Sequence, residues 1–303
     1  MKIGYIGVGN MGGGMAKSLL AGGFDVTVTD LRREAAQPCL KAGATWADTP
    51  AQVAALSDVV FTSLPGPPAV EAVVYGPAGI AEGIRGGSIY VDMTTSSPML
   101  IRKIHADFRA RGVDVMDAAV SGLISDANSG NLATFVGGDE AVFKRVEPAL
   151  KAIGPRVNYM GPVGSGMVTK IVHNQICLGV ISVMIEGFTL GKKAGVDIEA
   201  LYKAIAGGVF GRGELIKVLP LVVFPGKFEN EGHWGMPLTY GRKDIGLATE
   251  LGRQLNVPLN ISSLVEQDFI TSIAHGLGDK ESTIFITNQE ERAAVSLRTR
   301  PKS

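Results

Sequence analysis

The chain has 303 residues, room for two domains on the usual size of a globular unit. Its 29 Lys+Arg balance 29 Asp+Glu, which excludes the field that binds nucleic acid or an anionic membrane. With 46% hydrophobic residues it can bury a sizeable core, and its two cysteines, Cys39 and Cys177, stand in no CxxC or metal spacing. That pattern excludes a disulfide scaffold, points to a reduced compartment and makes Cys177, inside an apolar run, a core residue.

From the N-terminus, the apolar run at residues 3–6 predicts a first strand that leads into a glycine turn. Residues 10–20 have helical spacing, and residues 26–30 form a second strand. Further strands are predicted over 58–64, closed by Pro65, over 88–92 and over 113–117, each with an acidic residue at one end. Residues 98–110 are helical. Buried parallel strands read as continuous apolar runs, and their alternation with helices predicts a doubly wound α/β sheet of Rossmann type. Glycine, at 40 residues, is about twice its usual share and falls mostly between these runs, where turns belong.

The character changes after Gly161-Pro162. Residues 167–194 are one long, mainly apolar segment without proline, a central helix buried on most of its circumference. Helical patterns follow at 198–206, 238–255 and 261–275, strand signals are sparse, and the tail after Ala294, with Arg298, Arg300, Pro301 and Lys302, is expected to fray. The predicted domains are 1–163, dinucleotide-binding, and 164–303, all-helical.

The strongest local motif is Gly7-Val8-Gly9-Asn10-Met11-Gly12, which follows a strand and opens a helix. In that context Gly7 makes the tight turn, Gly9 lets the backbone approach a pyrophosphate, and Gly12 lets helix and strand pack closely. The helix N-terminus then offers free N–H groups to the phosphates. Asp30 closes the second strand, where a carboxylate accepts both ribose hydroxyls and repels a 2′-phosphate; a turn or cap aspartate is the plainer alternative. Arg32 and Arg33 follow closely and could bind such a phosphate, so NAD is expected and NADP stays open. Lys170 and Asn174 stand at i and i+4, a polar pair on one face of the apolar helix. An ammonium there can protonate a developing alkoxide, and as a base it needs burial or a neighbouring positive charge. A lysine snorkelling from the helix is the plainer alternative. His173, within a turn, is the alternative base. His105, His233 and His275 show no metal-ligand spacing, so no metal is expected.

These residues, with more distant segments, resemble the β-hydroxyacid dehydrogenase family, which includes 3-hydroxyisobutyrate dehydrogenase and tartronate semialdehyde reductase. The resemblance runs in order over roughly residues 3 to 280: the glycine turn, Asp92-Met93-Thr94-Thr95-Ser96-Ser97-Pro98, Asp117-Ala118-Ala119-Val120-Ser121-Gly122, Gly164-Ser165-Gly166 with Lys170 and Asn174, and Lys243-Asp244. It implies that Leu64, Pro65 and Thr95 line the nicotinamide half of the cofactor site. Ser121 and Gly122 would hold the substrate carboxylate, Lys170 would be the acid/base, and Asn174 would orient substrate or lysine. Lys243 would approach the nicotinamide ribose or the substrate, with Asp244 supporting it. Three positions depart from the family: Ala119 replaces a proline, Leu123 replaces a second glycine, and Glu186-Gly187 stands where Glu-Ala is usual.

The resulting expectation is an NAD(P)-dependent oxidoreductase with its site in a cleft between the two domains. A hydride would pass between nicotinamide and the hydroxyl-bearing carbon of a small hydroxy acid of 3-hydroxyisobutyrate type. Leu123 would shape the pocket. A homodimer or homotetramer built on the helical domain is expected, with no nucleic-acid or membrane partner. The chain opens directly into a strand and its longest apolar run, 176–185, is too short for a bilayer, which predicts a cytoplasmic or matrix-like location. The alternatives are an imine reductase of the same architecture, against which Lys170 argues, and a non-catalytic dinucleotide-binding protein, against which the Lys170–Asn174 pair argues.

Overall fold

The computed structural model describes residues 1–193, 195–208, 211, 213, 217–229, 236–255 and 259–299. His233, Arg300, Pro301, Lys302 and the side chain of Glu186 lie outside the described residues. The chain divides into two compact units, Met1–Lys170 and Ile171–Ser303, so the opening turns of the long helix go with the first unit.

The first unit is built on eight strands: β1 (Lys2–Ile6), β2 (Asp25–Thr29), β3 (Thr45–Trp46), β4 (Val59–Thr62), β5 (Ile89–Asp92), β6 (Asp114–Ser121), β7 (Ala133–Gly137) and β8 (Arg156–Gly161). Their order across the sheet is β3-β2-β1-β4-β5-β6-β7-β8. The strands through β6 are parallel, β7 runs antiparallel to β6, and β8 is parallel to β7. The helices are α1 (Asn10–Ala21), α2 (Gln37–Lys41), α3 (Pro50–Leu56), α4 (Pro67–Tyr75), α5 (Ile80–Gly83), α6 (Pro98–Arg109), α7 (Ile124–Ser129) and α8 (Glu140–Ile153).

Successive strand residues feed two cores. Phe61, Val91 and Met116 join one with Met15 and Leu19 of α1 and Val146 of α8. Val60, Tyr90 and Val115 join the other with Val70 of α4 and Ile101 and Phe108 of α6. A sheet covered on both faces needs apolar residues at every position, which is why these strands read as continuous apolar runs.

The sheet is wider than the sequence suggests. β3, β7 and β8 lie outside the predicted strands: β3 has two residues, β7 is five residues broken by Thr134, and β8 is a largely exposed edge strand, so none carries a continuous apolar run. β4 stops at Thr62, short of the expected residue 64. β6 continues past Asp117 to Ser121: Asp117 pairs with both β5 and β7, and residues 118–121 run beyond β5 and pair with β7 alone.

The long helix α9 (Ser165–Lys193) starts in the first unit and continues into the second, whose described residues include the α-helices α10 (Ile198–Gly207), α11 (Leu238–Leu255), α12 (Asn260–Ala274) and α13 (Ile286–Ala293). Among its described residues there is no strand beyond an isolated bridge, Pro237 to Glu281. Leu178, Ile181, Leu219, Ile245 and Phe269 form its core, with the Phe269 and Phe285 rings 4.8 Å apart. The tail does not fray over 295–299. Leu297 is buried, its N–H donates to Glu290 at 2.6 Å, Arg298 pairs with the same carboxylate, and the Thr299 N–H donates to the Phe224 carbonyl at 2.9 Å. Cys177 is partly exposed rather than a core residue, whereas Cys39 is buried.

One buried side chain ties α9 to the sheet. Asp117 Oδ1 accepts the Gly164 N–H and Oδ2 accepts the Met167 N–H, each at 2.6 Å. These are N–H groups at the start of a helix, which have no partner in the helix itself, and the carboxylate also faces the positive end of the helix dipole. A Cβ at Gly166 would lie 2.9 Å from Asp117 Oδ2, and one at Gly137 would lie 2.5 Å from Oδ1, so both glycines let the carboxylate in. Burial pushes the Asp117 carboxyl up from its ordinary value, and the N–H groups of Gly164 and Met167 hold it down. Replacing Asp117 with alanine leaves buried donors without an acceptor, a loss of about 2–4 kcal/mol. Urea unfolding is expected to show that loss in Asp117→Ala and a smaller one in Asp117→Asn. An alanine variant as stable as the parent would refute the anchoring role.

Candidate active site

The predicted residues of the first unit gather at one edge of the sheet. The loops after β1, β4 and β5 and the end of β6 carry Gly7–Gly12, Leu64-Pro65, Thr95 and Ser121 respectively. Strand order reverses between β1 and β4, and open α/β sheets bind their ligands at such a switch point, beyond the carboxyl ends of the strands.

The glycines of the first loop have separable reasons. Gly7 sits at φ +88°, and a Cβ there would come 2.3 Å from the Ser63 carbonyl oxygen. A Cβ at Gly12 would lie 1.9 Å from the Gly7 carbonyl oxygen. Gly9 is different: a Cβ there meets nothing within 4 Å, so its place is kept clear on the outer side of the loop. Gly9 also caps α1 without a side-chain hydrogen bond, which leaves the first N–H groups of that helix to an anion. These features fit a dinucleotide pyrophosphate. Val8 and Met11 turn their side chains to the core and contribute backbone alone, while Asn10 is exposed.

Asp30 has two tasks. Its Oδ2 accepts the Val8 N–H at 2.9 Å and its Oδ1 accepts the Arg32 N–H at 3.0 Å, so it braces the glycine loop as well as its own turn. A carboxylate has about four acceptor positions, and the two left over suit a ribose diol. The neighbouring arginines part company. Arg33 lies over the Trp46 ring, 5.2 Å from its centroid, whereas Arg32 lines a cleft of about 480 Å³ with Gly9, Asn10, Lys17 and Asn128.

The loops after β4 and β5 are joined by a polar network that sequence reasoning missed. Thr62, Asp92 and Asp117 are register neighbours across β4, β5 and β6, and all three are fully buried. The Thr62 hydroxyl donates to Asp92 Oδ1 at 2.8 Å, so its hydrogen is committed and the Tyr90 hydroxyl, 2.9 Å away, must donate to Thr62. Asp92 Oδ1 also accepts the Thr94 N–H at 3.0 Å, and Thr94 Oγ1 accepts the Leu64 N–H at 3.0 Å. Asp92 thereby holds Thr94, and Thr94 holds the Leu64 loop. Thr95 beside it is half-buried and Pro65 is exposed.

The segment expected to hold the substrate carboxylate lies at the end of β6. Ser121 is half-buried, and Gly122, at φ +150°, and Leu123 are exposed. Lys170 is half-buried on α9, and Asn174 lies one turn further along that helix. In the second unit Asn174 is buried and its Nδ2 donates to Asp244 Oδ2 at 2.7 Å, while its Oδ1 lies 3.2 Å from His173 Nδ1. Lys243 Nζ forms an ion pair with Asp244 Oδ1 at 3.0 Å. Asp244 therefore joins Asn174 to Lys243, two residues 69 positions apart in the chain.

Burial pushes the Asp92 carboxyl up to about 6, against hydrogen bonds from Thr94 and Thr62 that lower it, and nearby Asp117 adds to the rise. A folded value above the unfolded one means a contribution to stability that is complete below about pH 4 and lost as pH rises through about 6. Asp92→Asn is expected to lack that term. Urea midpoints of parent and variant should therefore diverge between pH 7 and pH ~4.5, with the parent gaining on acidification. Parallel curves would show that Asp92 does not titrate in this window.

Residues 2–161 match the family model described as the NAD binding domain of 6-phosphogluconate dehydrogenase. Residues 164–287 match the one described as NAD-binding of NADP-dependent 3-hydroxyisobutyrate dehydrogenase. The chain is 35% identical to 2-(hydroxymethyl)glutarate dehydrogenase of Eubacterium barkeri, over 98% of this chain and 97% of that protein. A crystal structure of 3-hydroxyisobutyrate dehydrogenase from Salmonella typhimurium is similar with a TM-score of 0.84 at 25% identity, covering 95% of this chain and 99% of that one. An imine reductase variant from Myxococcus stipitatus is similar in fold alone, with a TM-score of 0.63 at 18% identity over 95% of this chain and 98% of that one. Motifs, fold and relatives agree along the length of the chain: it belongs to the β-hydroxyacid dehydrogenase family and is an NAD(P)-dependent oxidoreductase.

Proposed function

We propose that the protein oxidises a small hydroxy acid with NAD, or reduces the matching aldehyde or keto acid, with Lys170 as acid/base. The observation that carries this reading is the polar set on the helices: Lys170 one turn from a buried Asn174, whose amide is oriented by Asp244. A buried amide locked by a carboxylate is costly to build into an apolar helix and is suited to orienting a bound hydroxyl. The relatives support the substrate class, since both are named for acids bearing a hydroxyl or hydroxymethyl group.

When bound, the nicotinamide supplies the hydride acceptor or donor. The chain's own residues do the rest. Ser121 holds the substrate carboxylate through its hydroxyl and Gly122 through its N–H. Leu64, Pro65 and Thr95 line the nicotinamide half. Lys170 takes the hydroxyl proton during oxidation and returns it during reduction. Asn174 orients the hydroxyl. Leu123, exposed at 40%, gives the carboxylate loop an apolar wall and favours a substrate with an apolar group nearby. Val172 and Ile176 on α9 and Ile261 and Leu264 on α12 are exposed apolar residues, which supports a homodimer or homotetramer formed through the helical unit.

Replacing Lys170 with alanine is expected to lower kcat by roughly 10²–10⁴-fold while the Kd for NAD stays close to that of the parent. Stopped-flow hydride transfer at 340 nm with a panel of short hydroxy acids measures the first, and fluorescence titration the second. Turnover near that of the parent would move the role to His173. For the cofactor, kcat/KM with NAD is expected to exceed that with NADP. Asp30→Asn should narrow the gap, because it removes the repulsion and frees Arg32 to meet a 2′-phosphate. A parent enzyme that prefers NADP would show that Arg32 outweighs the carboxylate.

A further inference from the structure

The carboxylate loop carries an anion of its own. The Leu123 N–H donates to Asp126 Oδ2 at 2.8 Å, and Asp126 is half-buried at the start of α7. The other oxygen, Oδ1, accepts from Asn131 Nδ2 at 3.4 Å, and the Asp126 carbonyl accepts the Asn131 N–H at 2.9 Å. The side chain is therefore held from both ends. It also lies against the loop backbone: a Cβ at Gly122 would stand 3.1 Å from both Asp126 Cβ and Asp126 Oδ2.

Successive backbone N–H groups in a turn make a concavity that binds anions. Here the concavity would be formed by the N–H groups of Gly122 and Leu123, beside the Ser121 hydroxyl. One of the two N–H groups is already taken, and the group that takes it is negatively charged. We infer that Asp126 is a specificity-determining residue of the carboxylate loop, which withholds the Leu123 N–H and repels a second negative charge, so that the loop accepts a singly charged acid group in preference to a doubly charged one. This rests on the placing of the substrate carboxylate at Ser121 and Gly122.

The two parts of the effect separate by substitution. Asp126→Asn removes the charge and keeps an oxygen for the Leu123 N–H. Asp126→Ala removes the charge and frees the N–H. Both gain affinity for an anion, which a merely structural lesion would not produce.

The test uses the full chain saturated with NAD, in parent and both variants. Isobutyrate serves as the calorimetric probe, since it has the carboxylate and lacks the hydroxyl, and methylphosphonate serves as the doubly charged probe, both at about pH 9, where the phosphonate is a dianion. The Kd for isobutyrate is expected to fall on the order of threefold in Asp126→Asn and tenfold in Asp126→Ala. The fall for methylphosphonate is expected to be larger, and both gains should shrink in ~0.5 M salt. Equal or weaker binding by Asp126→Asn overturns the inference, and so does the absence of isobutyrate binding to all three proteins. The functional reading fails separately: a parent that binds isobutyrate in this pattern but turns over no hydroxy acid keeps the role of Asp126 and loses the reaction.

Discussion

The bond between Asp117 and the start of α9 is the constraint on which the rest depends. Its carboxylate sits in the interior of the sheet, where an unpaired charge would be expensive, and it is matched by helix N–H groups that would otherwise be unsatisfied. Neither partner is at ease without the other. β6 carries Ser121 a few residues beyond Asp117, and α9 carries Lys170 within a turn of Met167. A single pair of short hydrogen bonds thus sets the start of the helix that bears the proposed acid/base against the strand that bears the proposed carboxylate loop.

The same edge of the sheet shows how a mostly apolar scaffold keeps polar groups where chemistry needs them. Thr62 and Asp92 end β4 and β5, and Asp117 is buried beside them in the middle of the parallel neighbour β6. Their hydrogen bonds run in one sense, from Tyr90 through Thr62 to Asp92, and from the loop backbone at Leu64 to Thr94. The Asp92 carboxyl is kept near the point of protonation by its burial. Such a row contributes little to the core as apolar packing would count it. What it does is hold the loop after β4 against the loop after β5, so that the proposed nicotinamide half of the site is placed by backbone rather than by long flexible side chains.

Legibility in the sequence followed the range of each interaction. The Gly7–Gly12 turn, the buried strands and the long helix are local patterns, and their context was readable from a few residues on either side. β8 was not, because an exposed edge strand has no apolar run to betray it. Asp92 and Asp117 could be seen as acidic residues closing apolar runs, but their partners lie 30, 47 and 50 residues away and gave no local sign. Arg32 and Arg33 looked equivalent until Trp46, from a neighbouring strand, was found under one of them. The polar pair Lys170 and Asn174 was legible as a helical spacing, whereas the hold of Asp244 on Asn174 needed the helices folded.

The reversal of β7 acts as a ruler. Because β7 runs back along β6, Gly137 lies opposite Asp117 and Ala133 opposite Ser121. Those four steps of strand span about 13 Å at ~3.3 Å per residue. The helix cap is at one end of the ruler and the proposed carboxylate loop at the other. Side chains alternate between the faces of a strand, so gaining or losing a single residue between Asp117 and Ser121 would turn the serine hydroxyl to the opposite face and leave the capped helix untouched. The stretch Ala118-Ala119-Val120 therefore matters first as a count. Its residues can vary within what the two cores accept, and its length cannot.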